Sequence, residues 1–232
     1  MTELTTQHSS KVELIDVMGD DLRIQLAARV STGKDALDED LKEGLVRYLV
    51  SSKHTSTLEH CTATFVVDTP IFVAREFMRH RTMSYNEVSA RYTKMQPSFY
   101  IPSSERPLVN AGTSARPELV SMSFASDLYE EFVLDQIAVY EHAWEIYNKY
   151  IDLGFANEVC RNVLPVGIMT RFYVTANLNN WMKFLTLRDG LEGHPQWEIV
   201  QVANQIKREL ENRFPVAMKY WTETRAEIDK DS

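Results

Sequence analysis

Residues 79–92, RHRTMSYNEVSARY, limit what this chain can fold into, because they offer hardly an apolar side chain to bury. Any core must be built from the segments on either side, with this stretch carried at its rim. Arg79, Arg81 and Arg91 lie there beside His80, Asn86, Glu87 and the hydroxyls of Ser84, Ser89 and Tyr92. A guanidinium offers a planar fork of donors that matches phosphate or carboxylate and stays charged at any working pH. Glu87 and Asn86 add an acceptor and an amide able to read a ring edge or a ribose hydroxyl. Two readings stand on the residues alone: a nucleotide site, or a solvated helix opened by the S-x-x-E capping box of Ser84 and Glu87.

The flanking segments can supply a frame. Residues 11–18 alternate as a strand, and residues 23–31 form a short helical stretch ending near Ser31. From Asp38 to about Ser52, Leu41, Leu45 and Leu49 recur at helical spacing. Residues 61–68 are rich in β-branched side chains and read as a buried strand. Asp68 or Thr69 can then cap a helix with Pro70 at its first position, which delivers Arg79 from its far end. Residues 103–127, rich in Pro, Gly and Ser, read as a surface excursion before the longest helix, 128–151. Asn177, Leu178, Trp181, Met182 and Leu185 mark another helix, with Arg188 leaving its end. The last helix runs through Ile199, Ala203, Ile206 and Leu210.

A chain of 232 residues can bury a substantial core as a single domain, here residues 1–232 with a short flexible N-terminus over 1–10. The net charge of -8 argues against a polynucleotide partner, so the arginine cluster stands out as a site for a small anion. No run is apolar enough to span a membrane, and no signal peptide opens the chain, which is expected to be cytoplasmic. Cys61 and Cys160 are expected in the core, as part of neither a disulfide framework nor a zinc site. His54 and His60 share no helical face and lack a third ligand, so no metal is expected.

The order R-H-R-x-x-S-x-N-E-x-S-x-R-Y resembles the signature of the flavin-dependent thymidylate synthases, with every specified position filled. Three further segments resemble the same family. They are the VMGDD and AARVS run ending at Ser31; KHTSTLEH, where Ser56 replaces the more usual threonine; and the R-x-V-L-P, T-R-F and L-R pattern from Arg161 to Arg188. The match spans about residues 11–210. It implies an α+β fold, helices packed around a small antiparallel sheet.

The resemblance implies reductive methylation of dUMP to dTMP. FAD would be hydride carrier, methylenetetrahydrofolate the one-carbon donor and NADPH the reductant, in a homotetramer with sites shared between subunits. Arg188 would stabilise charge developing on the pyrimidine, in place of a cysteine nucleophile. Arg91 and Arg161 would hold phosphate and ribose, helped by Val88, Ser89 and Ala90, while Glu76 and Glu87 complete the substrate set. Arg79 would sit between nucleotide and cofactor. Ser31, Ser56, His80, Arg81, Glu87, Asn177 and Asn179 would hold the flavin, with His54 toward the folate. Where many relatives carry asparagine or histidine, this chain has Lys183, whose charge suits an anionic reduced flavin. No G-x-G-x-x-G follows a predicted strand, so a Rossmann flavin domain is not expected. Rival expectations are a related flavoenzyme acting on another pyrimidine nucleotide and a nucleotide-binding protein without turnover.

Overall fold

Alternation along three segments builds the centre of the molecule. The computed structural model describes residues 4–33, 40–113, 118–120 and 126–228. Strand β1 (Thr5–Gln7) precedes β2 (Lys11–Met18), which turns through Gly19 into helix α1 (Asp21–Val30). Gly19 has φ +87°, and a Cβ there would stand 2.8 Å from the Cys61 sulfur, so the turn tolerates only glycine. Helix α2 (Glu43–Ser51) leads through a 3₁₀ turn (Thr55–His60) into β3 (Thr62–Pro70), α3 (Ile71–Phe77) and β4 (Ser84–Glu87). After these come β5 (Ser98–Tyr100), the short pair β6 (Val109–Asn110) and β7 (Leu119–Val120), and the long helix α4 (Ser126–Asp152). The chain ends with α5 (Asn157–Cys160), β8 (Met169–Asn177), α6 (Leu178–Arg188), α7 (Trp197–Arg213) and α8 (Pro215–Ile228).

The main sheet is antiparallel in the order β2-β3-β8-β4. One face presents Ala63, Phe65, Val67, Phe172, Val174 and Ala176 to the helices, where Phe77, Trp181, Phe184, Val202 and Ile206 are fully buried. Burying one such aromatic is worth about 1.5–3 kcal/mol. Trp181 also needs a partner for its indole N–H and donates it to the Ala63 carbonyl at 3.1 Å. A second cluster, with Phe99, Tyr140, Trp144 and Tyr147, seats α4 against β5. The architecture is the expected α+β arrangement of helices around a small antiparallel sheet.

Several expectations are corrected by tertiary contacts. Ser84 and Glu87 open no helix. Their segment is the edge strand β4 because it pairs with β8 and because the inward Tyr85 donates its hydroxyl to the Phe77 and His80 carbonyls. The first ten residues are not free throughout: β1 pairs in parallel with β5, and the buried Ser10 bonds Thr69 at 2.7 Å. Pro70 ends β3 rather than starting the helix, and Asp68 and Thr69 cap nothing, being engaged by Arg171 and Ser10. Within the helix expected from Asp38, residues 34–39 lie outside the described part. The helix itself begins only at Glu43, since the Gln25 side chain holds the Asp40 carbonyl and the Lys42 amide. The 103–127 excursion is anchored through Arg106 to Glu198, and residues 114–117 and 121–125 of it are not described. The helix expected through Ile199 and Leu210 is α7, but it is not the last: the chain breaks at Phe214 and α8 follows, capped by the Asp21 carboxylate, which accepts the Val216 and Ala217 amides, each at 2.9 Å.

Candidate active site

Helix α3 is too short to hold itself together and is fixed by the burial of Val73, Ala74 and Phe77. That packing leaves Glu76 half-buried and directs the following turn, with His80, toward the end of α6. Helix α6 is started by Asn177, whose side chain accepts the Asn180 amide at 2.9 Å, and it ends at Arg188. There Arg188 Nη1 donates to Glu76 Oε1 at 2.6 Å and Nε donates to His80 Nε2 at 3.2 Å. For His80 Nε2 to accept, the ring must be neutral with its proton on Nδ1. Burial, with the Arg188 charge alongside, lowers the His80 pKa to about 4. The ring is further set by an edge contact to Phe184, centroids 4.9 Å apart. Burial raises the Glu76 pKa, Arg188 opposes that, and Glu198 adds to it.

A second group lies across the other side of α3. Glu87, Val88, Ser89, Ala90, Arg161, Arg75 and Thr170 line a cavity of about 580 Å³. Glu87 Oε1 accepts from the Thr170 hydroxyl at 2.6 Å, which leaves its second oxygen for a ligand. Thus β4, its following turn and the 3₁₀ turn at Arg161 converge although they lie far apart in sequence. Arg91 does not line this cavity, because its Nε pairs with Glu158 at 2.5 Å and its guanidinium lies over the Tyr92 ring.

The third group centres on a cavity of about 340 Å³ lined by Lys53, Thr55, Leu58, Asn179, Met182, Lys183, Trp221 and Arg225. Apolar surface from Val50, Leu58, Met182 and Trp221, set among polar and charged groups that include Glu192, suits an extended aromatic cofactor with polar substituents. Asn179 is buried and donates to Glu59 Oε1 at 2.9 Å, and Lys183 supplies a cation. These residues fit a flavin bearing anionic groups. His54 and Ser56 are exposed at the adjacent 3₁₀ turn, and His54 lies beside the Tyr48 ring. Ser31 is exposed at the end of α1, where its hydroxyl donates to the Ala28 carbonyl. Arg79 and Arg81 are exposed, with no side-chain partner among the described residues.

Within one chain most of the predicted residues therefore fall into three groups, while Ser31, Arg79, Arg81 and Arg91 join none of them. Sequence reasoning missed Arg75, although it adjoins Glu76 on the helix that delivers Arg79. It also missed Lys53, whose φ of 57° is unusual for a side-chain-bearing residue, and the α8 residues Trp221, Thr224 and Arg225. No local signal ties α8 to the site. Cys61 and Cys160 are buried, and burial pushes the Cys61 thiol up to about 12, so Cys61 is no nucleophile. Among the described residues no group of three His, Cys, Asp or Glu side chains is placed to hold a metal. Nor, among them, is any helix long and apolar enough to cross a membrane.

The family model of thymidylate synthase complementing proteins, Thy1, matches residues 13–216. The chain belongs to this family. A flavin-dependent thymidylate synthase of Thermotoga neapolitana is 40% identical over 205 residues, which are 88% of this chain and 87% of the relative. One from Streptomyces avermitilis is 39% identical over 217 residues, covering 88% and 87%. Among solved structures, the UMP/dUMP methylase PolB of Streptomyces cacaoi bound with 5-Br UMP superposes with a TM-score of 0.87. It is 37% identical, with 95% of this chain and 97% of that chain covered. The same enzyme with 5-Br dUMP gives 0.85. The family's fold is thus this chain's fold.

Proposed function

We propose that this protein is a flavin-dependent thymidylate synthase, methylating dUMP to dTMP with methylenetetrahydrofolate as one-carbon donor and NADPH as reductant. The observation that carries this reading is the Arg188–Glu76–His80 constellation in a chain whose Cys61 thiol is buried and protonated. Uracil C5 is a weak nucleophile, and without a thiolate adduct the ring must be activated by a donor aimed at charge on its carbonyl. Arg188 cannot lose its proton and so acts as that donor. Neutral His80 adds no competing charge and holds the guanidinium plane by its acceptor nitrogen. Glu76 balances the cation until substrate arrives.

Ser89, Ala90 and Arg161 bind the nucleotide phosphate and ribose, with the open oxygen of Glu87 toward a sugar hydroxyl and Arg75 nearby. Arg91 joins them on leaving Glu158, an exposed pair of the kind that costs little to break. Bound FAD would supply the hydride. Asn179 and Lys183 in the third cavity would hold it, together with Ser31, His54, Ser56, His80, Arg81 and Asn177 supplied across the subunits. A homotetramer with shared sites accounts for the separation of the three groups within one chain. Arg79 and Arg81, which have no side-chain partner among the described residues, support it, as do the exposed apolar residues Phe132, Leu134 and Val139 on α4.

The similarity to PolB favours a second reading, in which UMP is accepted as well as dUMP. Anaerobic single turnover tests both: the bound flavin is reduced, then dUMP or UMP is added with methylenetetrahydrofolate, and flavin reoxidation is followed with methylated product. Coupled reoxidation and dTMP, lost in Arg188→Ala with dUMP binding retained, is the expected result. Product from UMP at a comparable rate establishes the broader acceptor range. Nucleotide binding without reoxidation refutes the synthase and leaves a binding protein.

A further inference from the structure

Asp189 follows Arg188 directly and is 5% exposed, so its charge must be met inside the protein. Arg225 meets it with a two-pronged contact: Nη1 to Oδ2 at 2.7 Å and Nη2 to Oδ1 at 3.2 Å. Lys207 Nζ approaches Oδ2 at 3.8 Å, and the Leu191 amide donates to Oδ1 at 3.2 Å. The Asp189 amide itself closes α6 on the Leu185 carbonyl at 2.9 Å. Arg225 is held in turn by Glu192, 3.0 Å from its Nε, and by the Trp221 ring, 4.6 Å from its guanidinium carbon. Three of the five guanidinium N–H groups are thereby used, and Arg225 also lines the cavity of Asn179 and Lys183.

We infer that Arg225 is a positioning residue that couples the Asn179–Lys183 cavity to Arg188. Its grip on Asp189 fixes where α6 ends, and hence the direction in which Arg188 projects toward Glu76 and His80. Its two remaining N–H groups are left to donate to an oxygen-bearing group of a cofactor in the cavity, which Glu192 also lines, so a bound cofactor would tighten the same clamp. The last helix thus acts on the chemistry through one side chain. This rests on the role given to Arg188 above. A misplacement of about 1 Å at such a group can cost on the order of 10²-fold in rate.

The test uses the flavin-loaded enzyme and compares Arg225→Gln, Arg225→Lys and Asp189→Asn, each made in the wild-type and in the Arg188→Lys background. Arg225→Gln is expected to lower kcat for dTMP by on the order of 10²-fold while KM for dUMP changes by less than about threefold. In the Arg188→Lys background the same change should cost less than about twofold, because the group it positions is already lost. Arg225→Lys should restore part of the rate. Thermal unfolding midpoints should fall equally in both backgrounds, which separates loss of positioning from loss of stability. Should Arg225→Gln not fold, Asp189→Asn, which keeps the side chain's shape, carries the same comparison. Full kcat in the folded variants, or an equal loss in both backgrounds, overturns the coupling while dTMP formation by the wild type keeps the synthase reading. No dTMP from the wild type overturns both.

Discussion

Acidification should destabilise this protein through His80, by an amount the site's geometry sets. The ring accepts the Arg188 Nε–H at 3.2 Å, so a proton on Nε2 would remove that bond and bring two cations together. Burial and Arg188 lower its pKa from 6.5 to about 4. Below 6.5 the unfolded chain binds a proton at this residue while the folded one does not. Stability therefore rises with pH through this window. The contribution is complete above 6.5 and is lost as pH falls toward 4. Across the whole window it amounts to about 3 kcal/mol, and about 2 kcal/mol is lost between pH 7 and pH 5. Water at the partly open ring trims these figures. His80→Gln keeps an acceptor for Arg188 and cannot titrate. Urea unfolding at the two pH values should show the wild type losing about 1–2 kcal/mol more than His80→Gln. Proton NMR should place the His80 titration near 4. A His80 midpoint near 6.5, or equal pH dependence in the two proteins, would falsify the neutral, accepting ring and with it the geometry assigned to Arg188.

Two further outcomes are expected. Tyr100→Phe removes the hydroxyl donated to Glu198 Oε1 at 2.8 Å while Arg106 still pairs with that carboxylate, and should cost about 1.5–3 kcal/mol in denaturant unfolding. In a Cys160→Ala background, iodoacetamide at about pH 8 should label Cys61 only on unfolding, since the thiolate is scarce and the side chain fully buried; labelling at the rate of a free thiol would contradict its exclusion as nucleophile.

Much of the fold was legible because its signals are local. The alternation at residues 11–18, the β-branched run before Pro70 and the helical spacing through Trp181 and Leu185 each determine an element regardless of context. Where a long-range partner competed with a local preference, the partner won. Ser84 and Glu87 satisfy a capping box, yet β8 offers a strand's worth of hydrogen bonds. Residues 40–42 look helical, yet Gln25 holds their backbone. Asp21 sits in the first turn of α1, yet its carboxylate caps α8, which lies nearly two hundred residues on.

The same division runs through the site. Residue types alone left two readings of residues 79–92, a nucleotide site and a solvated helix, because clustered guanidinium groups suit an anion and an exposed surface alike. The order of those residues carried the resemblance that the family match bears out. Only the tertiary structure decided that Arg188 meets Glu76 and His80, that Glu87 and Arg161 share a cavity, and that Arg91 is turned to Glu158. Pairings of this kind depend on where helices end after their apolar faces have packed. No short window of sequence records that outcome, because the energy that fixes it is spread over a core assembled from the whole chain.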